Sequence, residues 1–348
     1  MRDACNPAEM FNGLKVLDVH AHVSPPMQGT GMTAMMTMAT NAAMPSPLAN
    51  ESAAEQLGLG GEAFATSVAA HIKYIDDRQI DVQILGPRPF LMMGWMQPHL
   101  LPGWTRFVND TIAKQCQMHP ERFLGACQLP QNIHAPDASH CLPELNRCVD
   151  EFGFVGVYAS PDPEGHRNGP GFADRWWDPV YARCEEAGLP IIVHGTSCLD
   201  PRFAHVPHNY QLGFVAEQYW AGQMLGHSDV FQRFSGLKVI ICHCGGALDR
   251  FIPTDPHLPQ KDLSNNLFYD TCAHDLHFLE AAIKQRTVAR MVFGTEAPGS
   301  GRTVRPDTGR TADDFVPVID SFGFLSEQDK ADLFHHNPAK LFPAMATK

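Results

Sequence analysis

The sequence predicts a single-domain (β/α)8 barrel of the α/β class. Two observations carry this. Eight apolar runs, near-continuous rather than alternating, are spread along the chain with helical stretches between them. Such runs read as parallel strands buried on both faces, and eight of them in alternation with helices fit a barrel better than an open sheet. Secondly, histidines and an acid recur at the C-terminal ends of these runs, where barrel enzymes keep their chemistry. No Gly-x-Gly-x-x-Gly follows any of the runs, which argues against a doubly wound dinucleotide-binding fold. The 348 residues exceed the usual length of one domain, but barrels of this kind routinely do so. We therefore take 1–348 as one domain.

The runs are Leu14–Val23, Val82–Arg88, Phe123–Leu129, Phe154–Ala159, Pro190–His194, Leu237–His243, Leu267–Thr271 and Arg290–Glu296. Helical spacing of apolar residues marks Trp104–Met118, Ala138–Glu151 and Trp176–Ala187. Gly188-Leu189-Pro190 stops the last of these before the fifth strand. A further helix is expected over Ala312–Phe322, capped by Thr311, although Pro317 falls inside it. Residues 24–62, rich in Met, Ala, Gly and Pro, are too long for an ordinary connection after the first strand. They form an insertion, either a lid or oligomer arm over the barrel mouth, or a merely variable segment.

Lys plus Arg is 26 and Asp plus Glu 38, a formal net charge of −12. That disfavours nucleic acid and anionic membranes as partners, and an anionic small substrate would need locally fixed arginines. No apolar stretch is long enough to span a membrane, and the N-terminus lacks a signal-type apolar run, so the cytoplasm is expected. The ten cysteines form no C-x-x-C pair and are too dilute for a disulfide scaffold. They are expected to stay reduced.

His20 and His22 are two apart, so on a strand they project from one face and can grip one metal ion. His194 at the end of the fifth run and Glu296 at the end of the eighth can complete the shell. Imidazole with carboxylate suits Zn2+, with Mn2+ or iron as alternatives. Any one of these histidines alone would read as an ordinary buried residue, and the constellation is what carries the signal. His243, followed by Cys244-Gly245-Gly246, has two readings. It moves protons for a metal-activated water, or it only hydrogen-bonds a ligand from outside. Arg88, held between Pro87 and Pro89, is placed either for a substrate carboxylate or for a loop salt bridge. Arg202 and Arg250 are candidates for the same anion-binding task. Asp162 in a Pro-Asp-Pro turn reads as a turn former. Glu217 reads as an exposed helix residue, and the cysteines near strand ends as buried inert thiols.

Taken together, His-x-His, the later histidines, His243-x-Gly-Gly and the strand-eight acid resemble the amidohydrolase superfamily. The closer resemblance is to its amidohydrolase-2 branch around aminocarboxymuconate semialdehyde decarboxylase, from His20 through the ending Asn337-Pro338-Ala339-Lys340-Leu341-Phe342. Most decarboxylases of the branch carry aspartate on strand eight, whereas this chain has Phe293-Gly294-Thr295-Glu296. That glutamate, with Pro87-Arg88-Pro89-Phe90 and Pro161-Asp162-Pro163, is similar to two groups in lignin-derived aromatic breakdown. One is the zinc-dependent C–C hydrolase of meta-cleavage products, the other 4-oxalomesaconate hydratase. The stretch from Gly294 to Gly309 looks more like the hydrolase.

The resemblance implies metal ligation by His20, His22, His194 and Glu296, and an acid/base or polarising role for His243 and Glu296. It also implies carboxylate binding by Arg88. His205 stands where the hydrolase has a tyrosine, and the segment carrying Arg250 is shorter than in the hydrolase. The expected function is therefore metal-dependent hydrolysis of a C–C bond in a carboxylated ring-fission product. The alternative is a lyase on the same scaffold, a hydratase or a non-oxidative decarboxylase. A small carboxylated substrate and a homo-oligomer are the expected partners.

Overall fold

Each of the eight apolar runs forms a strand. The computed structural model describes residues 13–48, 51–206, 209–255, 262–306 and 308–348. The strands are β1 (Leu17–His22), β2 (Val82–Gly86), β3 (Phe123–Gln128), β4 (Gly156–Ala159), β5 (Ile191–Val193), β6 (Val239–Ile241), β7 (Leu267–Asp270) and β8 (Met291–Val292). They pair in parallel in chain order. Two backbone bonds carry the β8 run across to β1: Val19 N–H to the Phe293 carbonyl at 3.0 Å, and Glu296 N–H to the His20 carbonyl at 2.7 Å. The architecture is the (β/α)8 barrel expected from the sequence. Leu17, Val19, Val82, Ile84, Ala126, Ile192, Ile240 and Val292 pack as one buried cluster, the layered filling of a barrel interior.

One irregularity positions the chemistry. Between Asp18 and Ala21, β1 takes three steps while β2 takes two, from Gln83 to Leu85. The extra residue re-phases the strand. Leu17 and Val19 pack in the barrel cluster, while Ala21 and Val23 belong to the cluster outside it. His20 and His22 are thereby turned inward together.

The helices Leu101–Met118, Leu142–Phe152 and Asp178–Ala187 fall where the spacing places them, the latter two led by short 3-10 turns. The expected helix over 312–322 is shorter, Val316–Asp320. Pro317 stands in its first turn, and its ring and missing N–H bar helix on the N-terminal side. Thr311 caps nothing there. Its hydroxyl instead accepts from Arg78 Nη2 at 2.6 Å.

The described residues of 24–62 include three helices: α1 (Met27–Thr40), α2 (Glu51–Gln56) and the start of α3 (Gly61–Asp76). α1 escapes an apolar-period reading because its pattern is inverted. Thr30, Thr33 and Thr37 are buried with Gly29 and Ala34, whereas Met27, Met32, Met35 and Met38 are exposed. The Thr30 and Thr33 hydroxyls return to carbonyls four residues back at 3.0 and 2.9 Å, which satisfies them without partners elsewhere. Gly29 lets α1 lie against the turn after α2, because a Cβ there would meet the Leu57 oxygen at 2.4 Å. Three further long helices are not marked by the apolar spacing, Gly61–Asp76, Asn209–His227 and Leu276–Arg286. All nine described cysteines are free. No helix among the described residues is long and apolar enough to cross a membrane.

Candidate metal centre

The ends of β1, β5 and the β8 run bring His20, His22, His194 and Glu296 together. Their donor atoms all lie within 4.8 Å of one another. Glu296 Oε1 is 3.7 Å from His22 Nε2 and 3.9 Å from His194 Nε2. Those gaps are too long for hydrogen bonds. They match the spacing of donors that meet one ion at about 2.0–2.2 Å, which stand roughly 3.3–4.4 Å apart. The histidine rings meet edge-on, with centroids 5.2 Å apart for His20–His22 and 4.9 Å for His22–His194.

The outward nitrogens are already engaged. His20 Nδ1 donates to Asp270 Oδ2 at 2.6 Å, and His194 Nδ1 to the Gly195 carbonyl at 2.6 Å. Each bond fixes a tautomer whose Nε2 lone pair faces inward, the usual support for a ligating histidine. Among the described residues, His20 Nε2 is buried with no hydrogen-bond partner, as are both nitrogens of His22. Buried imidazole nitrogens without partners are costly unless something fills the space between them. The donor set therefore fits a divalent ion.

Electrostatics agree. Burial holds His22 neutral, pushing it down to about 4, and holds His194 well below the ordinary imidazole value. Burial also opposes charge on His20, but the Asp270 hydrogen bond and carboxylate outweigh it and raise that group. Burial would raise Glu296, yet the facing imidazoles of His22 and His243 hold it well below the usual range. The site thus keeps one carboxylate charged and two imidazoles neutral, as ligation requires.

His243 stands beside this set. Its Nε2 is 3.7 Å from Glu296 Oε1, and its side chain is 14 % exposed where those of His20 and His194 are sealed. Nδ1 lies 3.1 Å from Gln218 Oε1. Gln218 Nε2 donates to the Cys242 carbonyl at 2.6 Å, so its oxygen is the acceptor and His243 Nδ1 carries the proton. His243, Cys244 and Glu296 all have left-handed backbones, φ 53°, 55° and 60°, a strained conformation that clusters at functional sites. Gly245 and Gly246, φ 85° and 76°, make the tight turn expected after His243.

Arg88 lies at the end of β2. Nη1 donates to the Pro298 carbonyl at 3.1 Å and Nη2 to Ser24 Oγ at 3.0 Å. Arg202, His205 and Arg250 are all exposed. Arg202 forks onto Asp200. Asp162 makes its turn, accepting from Arg167 N–H at 3.0 Å. Glu217 corrects its sequence reading, because it is 9 % exposed and paired with Arg167.

Four residues that touch this machinery were not singled out: Asp270, Gln218, Ser300 and Asp18. Asp270 had a signal, a carboxylate at the end of the seventh run. Ser300 donates to Glu296 Oε2 at 2.6 Å. Gly294 lets Asp270 and His20 close together, since a Cβ there would come within 2.9 Å of both their Cβ atoms.

Two outcomes follow from this geometry. Asp270→Asn should weaken divalent-metal affinity by about 10–100-fold, read by chelator competition. An unchanged affinity would show that the His20 Nδ1 bond orients nothing. In metal-free protein, His22 at about 4 and His71, pushed by burial to about 3, both stay neutral when folded. Unfolded, they protonate near pH 6.5. Their contribution is therefore complete above about pH 6.5 and is lost as pH falls toward 4 and 3, at about 1.4 kcal/mol per pH unit for each group. The urea midpoint should drop between pH 7 and pH 5. A midpoint that stays level would contradict the neutral assignment.

The family model described as amidohydrolase matches residues 17–344, nearly the whole chain. The chain belongs to the amidohydrolase family. A 2-keto-4-carboxy-3-hexenedioate hydratase of Sphingobium sp. (strain NBRC 103272 / SYK-6) is 32 % identical over 301 residues, covering 81 % of this amidohydrolase and 84 % of that relative. A 2-amino-3-carboxymuconate-6-semialdehyde decarboxylase of Dictyostelium discoideum is 23 % identical over 242 residues, 65 % of each chain. Among solved structures, 4-oxalomesaconate hydratase of Rhodopseudomonas palustris superposes with a TM-score of 0.78 at 25 % identity, over 95 % of this chain and 97 % of that one. These relatives are hydratases and a decarboxylase, which fit the lyase alternative better than the C–C hydrolase expected first from the sequence.

Proposed function

We propose that this amidohydrolase is a metal-dependent lyase, a hydratase that adds water across the C=C bond of an unsaturated keto acid bearing two or more carboxylates. The observation that carries the reading is the hydratase relative, similar over 84 % of its length, combined with a four-donor centre that has His243 beside it. His20, His22, His194 and Glu296 are the ligands, with Zn2+ the first choice and Mn2+ the second. A divalent ion there would polarise a substrate oxygen and bring a water toward a pKa of about 7.

The chain's own groups do the rest. His243, its Nε2 3.7 Å from Glu296 Oε1, supplies the proton position beside the centre, while Glu296 stays ionised as a ligand. In the neutral tautomer set by Gln218, His243 Nε2 accepts the proton released as water oxygen bonds to one alkene carbon. The same ring returns that proton to the neighbouring carbon, so one water is added and nothing leaves. Arg88 holds a carboxylate of the substrate by a charge-assisted pair. Arg202, His205 and Arg250 stay at the exposed rim as secondary carboxylate contacts. The cytoplasmic location and homo-oligomer expected from the sequence belong to the same reading.

Product analysis tests it. Purified enzyme incubated with 2-keto-4-carboxy-3-hexenedioate in H2(18)O should give one product, heavier by one labelled water. Release of CO2 from a substrate panel with no hydrated product would assign a decarboxylase instead. Two fragments from a meta-cleavage product would restore C–C hydrolysis.

A further inference from the structure

An unbroken run of buried polar groups lies between the barrel wall and its outer helices. It begins at Asp18, whose carboxylate accepts from the Thr295 hydroxyl at 2.6 Å, Thr295 N–H at 3.1 Å, His20 N–H at 3.0 Å and Gln83 Nε2 at 2.8 Å. Gln83 Nε2 also donates to the Ala297 carbonyl at 2.8 Å. With that nitrogen facing two acceptors, the Gln83 oxygen faces His71 Nε2 at 2.8 Å. The imidazole must therefore donate from Nε2. Nδ1 is then an acceptor, and Gln115 Nε2 meets it at 2.9 Å. Gln115 Oε1 accepts from Ser24 N–H at 2.8 Å. Ser24 Oγ accepts from Arg88 Nη2 at 3.0 Å, and Arg88 Nη1 donates to the Pro298 carbonyl at 3.1 Å. The run starts and ends on Thr295–Pro298, the segment that carries Glu296.

Every donor along it has one acceptor direction, so no amide or ring can flip without breaking two bonds. Asp18, Gln83 and Gln115 are 0 % exposed and His71 2 %. His71 sits on α3 and Gln115 on Leu101–Met118, among Phe64, Val68, Phe107 and Ile112 of the apolar layer. Apolar side chains would fill that layer without the desolvation cost of two polar ones. Departures of this kind from a simple core are expected near functional sites. Arg88, at the far end, has two of its five N–H donors committed, and its Nε is buried with no hydrogen-bond partner among the described residues.

We propose that His71 and Gln115 are positioning residues. They hold Ser24, and through it Arg88, so that a guanidinium edge is presented to a substrate carboxylate in fixed register with Glu296. The inference rests on the carboxylate-binding role proposed above for Arg88. Neither residue touches substrate in this account.

The test is a double-mutant cycle on the metal-loaded enzyme. His71→Leu and Gln115→Met should each raise KM for the keto polycarboxylate about tenfold, the scale of one weakened contact to a charge, with bound metal unchanged. In an Arg88→Met background neither should add more than about twofold, because coupled residues are not additive. Equal factors in both backgrounds would mean that His71 and Gln115 serve general packing, and would overturn the proposal. If His71→Leu does not fold, Gln115→Met breaks the same run one link further on. Two readouts need no substrate. In wild-type protein the imidazole 15N–1H spectrum should show His71 protonated at Nε2, and protonation at Nδ1 overturns the run as described. The Arg88 Nε resonance should shift in either variant, and an unmoved resonance overturns the coupling. A wild type that passes both spectra yet hydrates no keto polycarboxylate would remove the proposed function and support the positioning run.

Discussion

Replacing His20 with alanine is expected to lower turnover by about a thousandfold or more. Losing an ion that stabilises developing charge by several kcal/mol corresponds to at least three powers of ten. His20 is 0 % exposed and its ring is fixed by the 2.6 Å bond to Asp270, so its Nε2 is held facing the other donors. His22→Ala and His194→Ala should fall to the same floor. Combining any two should cost little more than one, because the four donors act as a unit. Steady-state rates of the three single variants and one double check this. A double variant far below the singles would mean that the histidines act separately.

His243→Asn should lower kcat by about 10²–10⁴-fold, the range for removing a positioned acid or base, while bound metal stays at the wild-type level. The geometry separates the two roles. His243 is 3.7 Å from Glu296 Oε1 and partly exposed, whereas the four donors are sealed around one point. The asparagine can still accept or donate toward Gln218, so the β6 turn need not collapse. Rate and metal content measured on one preparation decide between the two readings left open by the sequence. Loss of metal together with rate would favour the other reading, in which His243 only supports a ligand from outside, over the proton carrier.

The barrel was legible because parallel strands buried on both faces must be written as apolar runs, and nothing else in this chain looks like them. The gathering of His20, His22, His194 and Glu296 at one place was legible for a related reason. A histidine or glutamate at the end of such a run has nowhere to go but the barrel mouth, and four of them together leave little else to explain. The supporting groups were less visible. Asp270 ends its own run and could have been read. Gln218 lies inside a helix, and only the fold shows that its amide spans from Gly195 N–H to His243. Asp18, His71 and Gln115 are scattered over about a hundred positions and meet only in three dimensions. α1 was missed because it buries threonine and exposes methionine, the reverse of the pattern that marks a helix. Glu217 was misjudged because its partner, Arg167, lies 50 residues away. The reaction is the least legible part, since hydration, decarboxylation and C–C hydrolysis all use the same donors.

The most direct test of the central claim is the metal content of wild-type protein purified without added metal, by elemental analysis. The account predicts about one divalent ion per chain, zinc or manganese, removed by a chelator together with activity and restored with it. A folded protein that turns over substrate with no metal bound would contradict the reading of His20, His22, His194 and Glu296 as one centre.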